Sequence, residues 1–85
     1  MDIKEGDLVM FKYPHGLFPR DAYELNMVGE VIKKWSDGEV NVDFEKFNKD
    51  KYPEIFEEHS SATTHSWTTH KSDLRRPANN VRKIK

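Results

Sequence analysis

Eighty-five residues allow one domain around one modest core, and the absence of cysteine excludes a disulfide framework, thiol catalysis and cysteine-rich zinc sites. The formal net charge of −1 argues against a protein that coats nucleic acid through overall charge, yet six Lys or Arg from Lys71 onward face one acid, Asp73, so that end carries +5 and the remainder −6. No apolar run approaches the roughly 20 residues of a membrane span, and "MDIKEGD" lacks the basic-then-apolar order of a signal peptide, so a soluble, cytoplasmic protein with no membrane partner is expected.

In chain order, "GDLVMFKY" (Gly6 to Tyr13) predicts a first strand that stops at Pro14, a residue unable to donate to a sheet ladder. "PHGLFPRDAYELNM" keeps no steady helical or strand period and reads as a long ordered loop. "VGEVIKKW" (Val28 to Trp35) is a second strand, and the Asp37-Gly38 pair after it favours a tight hairpin because both residues tolerate positive φ. The partner strand is "VNVDFEKF", in which Val40, Val42 and Phe44 alternate with Asn41, Asp43 and Glu45. From Lys46 to Ser66 strand signals fade. Pro53 at a first helical position, followed by Glu54, Glu57 and Glu58, predicts one or two helical turns with Ile55 and Phe56 turned inward. "SWTTHKSDL" then reads as a fourth strand, a tight turn through Lys71, Ser72 and Asp73, and Leu74 dropping into the core before Arg75 begins a final edge. Together these elements predict an all-β fold, a small antiparallel barrel of about five strands over residues 1–77. Residues 78–85 follow as a basic tail or an extra edge strand. Phe11, Trp35, Phe44 and Trp67 are the expected core or rim aromatics.

The segments "IKEGDLVMFKY", "VGEVIKKWSDGEVNVDF" and "WTTHKSDLRR" together resemble the SH3-like barrel superfamily that includes Tudor, chromo-barrel, KOW and PWWP modules. "GDLV" with Lys12 is similar to the start of PWWP and Tudor domains, although "YPHGLFPR" stands about where the Pro-Trp-Trp-Pro signature would fall. "VGEV" and "VDFEKFN" also look like the small SH3-like barrel protein of photosystem I and the ferredoxin-thioredoxin reductase variable chain, whose barrels dock onto larger assemblies. The resemblance implies a binding module, and it covers most of the chain outside residues 46–64.

Four histidines raise the question of a metal, but His65 and His70 stand five apart, on opposite faces of an unbroken strand. Even with Glu57, Glu58 or Asp73 added, no spacing matches a known ligand pattern, and no metal or other cofactor is expected. Ser66 beside His65, with His70 and Asp73 near, supplies pieces of a catalytic triad without its geometry, and there is no glycine-rich phosphate loop, so no enzyme is expected. Ten aromatics are more than one small core hides. Phe18, Tyr23, Tyr52 and Phe56, in the long loops, are the candidate anchors for a protein partner or larger complex. The Tudor resemblance offers another use, in which Tyr13, Phe18, Tyr23 and Tyr52 cage a methylated ammonium beside Glu24 or Asp21. A nucleic-acid partner would instead be held by Lys33, Lys34, Arg75, Arg76, Arg82, Lys83 and Lys85, with Trp35 or Trp67 available for stacking.

Overall fold

The computed structural model describes residues 3–59 and 64–77. Five strands, β1 (Leu8–Phe11), β2 (Gly29–Lys34), β3 (Glu39–Asp43), β4 (Trp67–His70) and β5 (Leu74–Arg75), form one antiparallel sheet in the order β4-β3-β2-β1-β5. Among the described residues the expected barrel is not closed, because β4 and β5 remain the two edges of the sheet, joined through a 3-10 turn, Lys71–Asp73, instead of a ladder. That strand, tight turn and short edge stand where the sequence put them.

Three short helices complete the described fold: α1 (Leu17–Glu24), α2 (Glu45–Asn48) and α3 (Pro53–Glu58). Only α3 falls where a helical turn was expected, with Pro53 at its first position. The segment expected to be an irregular loop contains α1. Pro19 sits in the first turn, where the backbone N–H has no intrahelical acceptor, so it does not break the helix. Phe18 and Ala22, four apart, together with Pro19 make the face that α1 buries.

The third strand ends at Asp43, earlier than the alternation suggested. Asp43 Oδ1 accepts hydrogen bonds from the N–H groups of Glu45 at 3.0 Å and Lys46 at 3.2 Å, turning the chain into α2. Buried Asn48 holds that turn against β2 by donating from Nδ2 to the carbonyls of Val28 (2.9 Å) and Phe44 (2.7 Å).

Phe44 is the centre of the core. Its ring stacks on Phe11 at 5.1 Å and meets Phe18 edge-on at 5.5 Å, while Phe18 also contacts Phe56 and Trp67. Val9, Val31, Val40, Val42, Ile3, Met27 and Leu74 fill the space around these rings. Among the described residues every buried side-chain nitrogen and oxygen has a hydrogen-bond partner, so the interior is both packed and satisfied. Trp67 lies at the rim of this core, as expected, but Trp35 does not; it is 37% exposed.

The register of β2 against β3 explains the position of Trp35. Val31 pairs with Val42, but Lys33, not Ile32, pairs with Asn41, so Ile32 is an extra residue and β2 is bulged there. Val31 points into the core; beyond the bulge, Lys33 takes the outward side shared with Asn41, and Trp35, two residues on, follows it outward.

Gly29 lies where β2 crosses this core. A Cβ there would come 2.5 Å from Val42 Cγ1 and 2.9 Å from the Phe44 ring. Gly29→Ala is therefore expected to overpack the core and destabilise the fold by about 1–3 kcal/mol in urea unfolding. An unchanged midpoint would contradict the close approach of β2 to Phe44.

Candidate functional site

The histidine-rich segment divides among separate local tasks. His65 Nδ1 lies 3.3 Å from Glu45 on α2, whereas His70 Nδ1 lies 2.8 Å from the Ser72 hydroxyl and its ring packs over Gly38 at the hairpin tip. Asp73 accepts hydrogen bonds from Tyr13 Oη and Thr69 Oγ1, both at 2.9 Å. Leu74 is fully buried, and Arg76 pairs with Asp7 at 3.3 Å. The segment therefore builds the two edges of the sheet, and among the described residues no hydrogen bond joins the Ser66 or Asp73 side chain to the ring of His65 or His70.

Among the described residues one group has metal-ligand types together: Asp21, Glu58 and His59, whose ligating atoms lie within 4.8 Å of one another. Asp21 Oδ2 and His59 Nε2 are hydrogen-bonded at 2.8 Å, and the His59 ring meets Phe18 edge-on. This contact ties α1 to the end of α3. It is the polar clasp over the Phe18 side of the core.

Of the expected protein-binding anchors, Phe18 and Phe56 are core residues, 1% and 5% exposed, with no free face for a partner. Tyr52 is half-buried against the core with Lys51 over its ring, and Tyr23 alone of the four is exposed, on the outer side of α1. The rings of Tyr13, Phe18, Tyr23 and Tyr52 do not assemble into a cage. Phe18 is surrounded by Phe44, Phe56, His59 and Trp67, and Tyr13 meets His15.

The expected nucleic-acid residues are also spread apart. Lys33 and Lys34 are on β2 and Arg75 is on β5, with β1 between them; Arg82, Lys83 and Lys85 lie outside the described residues.

A different surface emerges on the outward side of β2, β3 and β4. Its rows are set by register: Lys33 opposite Asn41 and Asn41 opposite Thr68, then Trp35 beside Glu39 through the hydrogen bond from Trp35 N–H to the Glu39 carbonyl at 2.9 Å. Lys33 Nζ stands 5.3 Å from the centre of the Trp35 ring, a cation–π distance. Gly38, at φ 95°, closes the hairpin, and Asp37 Oδ1 accepts from Glu39 N–H at 3.0 Å. Trp35, Ser36, Asp37, Glu39 and Thr68 line an open hollow of about 410 Å³. Alongside, Lys46 bridges from α2 to Glu30 on β2 at 2.8 Å and leaves Phe47 exposed. The Asp-Gly hairpin and Trp35 were visible in the sequence, but the bulge that turns Trp35 outward carries no sequence signature.

No family model, curated protein or solved structure matches this chain.

Electrostatics mark the Tyr13–Asp73 contact. Desolvation pushes the Asp73 carboxyl up, but hydrogen bonds from Tyr13 and Thr69, the nearby His15 and a backbone hydrogen bond at His70 outweigh it and leave its pKa below the ordinary value. Tyr13 is held above its own ordinary value, chiefly by the same hydrogen bond. A folded carboxyl with a lowered pKa contributes stability above its unfolded pKa and loses it as pH falls through the folded one. Asp73→Asn is therefore expected to be less stable near neutrality and to lose less stability than the wild type between about pH 5 and 2. Parallel stability curves for the two proteins, from denaturant unfolding across that range, would contradict this assignment.

Proposed function

We propose that this chain is a non-enzymatic protein-binding module of the SH3-like kind, an accessory factor or small subunit that docks on a larger complex through the outward side of β2, β3 and β4. The observation that carries the reading is Trp35. It stands directly after β2, outside a core that is already filled and satisfied, and Ile32 of β2 and Phe47 of α2 are likewise exposed. Large aromatics held beside a rigid hairpin are the residues that anchor protein interfaces, because burying them against a partner removes much apolar area at little cost in side-chain freedom. Lys33, Asp37 and Glu39 beside the ring, with the Lys46–Glu30 pair farther along β2, make a mixed-charge surface of the kind that sets register and encounter rate. The SH3-like reading is supported by the single antiparallel sheet and by its strand, tight turn and short edge; the described sheet is open. Among the described residues no helix is long and apolar enough to cross a membrane.

A nucleic-acid-binding use of the same face is the second reading, favoured by Lys33 against the Trp35 ring. Asp37 and Glu39 beside that ring oppose it, since they repel a phosphate backbone.

Trp35→Ala and Phe47→Ala are expected to keep unfolding stability within about 0.5 kcal/mol of the wild type, as outward residues do. Trp35→Ala should weaken partner capture from the source lysate by about 30-fold or more, the loss expected for an interface anchor. Full capture by both folded variants would contradict the assignment of this face. Binding to a mixed-sequence single strand that weakens steeply with salt, and is lost in Trp35→Ala, would place the nucleic-acid reading first.

A further inference from the structure

Apart from the Ser36 hydroxyl and the Trp35 indole N–H, the side chains lining the hollow beside Trp35 present acceptors. Thr68 Oγ1 donates its only proton to Asn41 Oδ1 at 2.6 Å, which leaves lone pairs facing outward. Asp37 binds one backbone N–H through Oδ1, and neither its Oδ2 nor the Glu39 carboxylate is in an ion pair or side-chain hydrogen bond among the described residues. Two unneutralised carboxylates thus border one indole ring. That ring's attraction for a cation is already displayed by Lys33, whose ammonium stands over it without lining the hollow.

We propose that this hollow is a subsite for the guanidinium of an arginine presented by the protein partner, an inference that rests on the docking reading and gives it a recognition chemistry. A guanidinium is a planar cation with five N–H donors and no acceptor, the complement of a site that offers carboxylates and an aromatic face. It can stack on Trp35 while donating to Asp37 and Glu39 at the rim. An ammonium meets the charge but lacks the planar face and the forked donors. An anion is refused by both carboxylates. The hollow is large enough, at about 410 Å³, and open enough to admit an exposed side chain from a partner surface.

The test uses the full chain and two short peptides with blocked ends and otherwise uncharged residues, one with a central arginine and one with lysine in its place, titrated at low salt and followed by the Trp35 indole N–H and the backbone amides in two-dimensional NMR. The arginine peptide should give saturable shifts centred on Trp35, Glu39 and Thr68, at least about threefold tighter than the lysine peptide. Glu39→Gln, which keeps size and strand pairing, should weaken binding by about fivefold or more. Equal affinity for the two peptides, shifts scattered over all acidic positions, or binding unchanged in Glu39→Gln would each overturn the guanidinium subsite. The docking reading is judged separately by partner capture. Loss of capture in Trp35→Ala with retention in Glu39→Gln rejects the subsite and leaves the docking face standing; retention in both rejects both.

Discussion

One extra residue in β2 determines what this domain shows to its surroundings. With Val31 paired to Val42 and Lys33 paired to Asn41, Ile32 is the residue the ladder does not accommodate. Strict alternation from Val31 would send Lys33 and Trp35 to the side of the core. The bulge reverses that parity, so the core receives Val31 and the outward side receives Lys33 and Trp35. Lys34, paired with Val40, takes the core-side parity in place of Lys33 and still stays exposed near the strand end, and the ladder carries one unpaired position at Ile32.

The rest of the structure is consistent with that reversal. Since the indole leaves the interior, Phe44 becomes the hub, and α1 and α3 bring Phe18 and Phe56 to fill the volume around it. The long connections, which looked like binding loops, are thereby consumed in making the core. The Asp21–His59 clasp and the Asn48 hydrogen bonds fasten those connections down. On the hairpin side an indole is left outside the core, bordered by Lys33, Asp37 and Glu39.

The sequence was legible where local chemistry acts alone. Val40 and Val42 alternate with Asn41 and Asp43, Asp37-Gly38 makes the hairpin, Pro53 opens α3, and Lys71 to Asp73 makes the turn before buried Leu74. It misled where a tertiary contact decides. Helix α1 is eight residues with a proline in its first turn, and it holds because Phe18 and Ala22 find the core, which no local period announces. By alternation alone Phe44 continues a strand, but the Asp43 side chain redirects the chain immediately after it. Trp35 was expected at the core or its rim, and its outward place was not legible because a bulge is a property of the pairing and not of either strand. The four expected anchors were chosen for lying in long loops, and two of them went to the interior because long connections in a small domain supply its missing core.

The proposed binding face depends on the Trp35 indole standing outward in the folded protein. Acrylamide quenching of tryptophan fluorescence in a Trp67→Phe protein that keeps cooperative unfolding reads that side chain alone. An outward indole, 37% exposed beneath the Lys33 ammonium, predicts emission to the red of a buried tryptophan and quenching between that of a buried indole and that of the unfolded chain. Blue-shifted emission that resists the quencher would put Trp35 in the core, remove the bulge's consequence and contradict the binding face built on it.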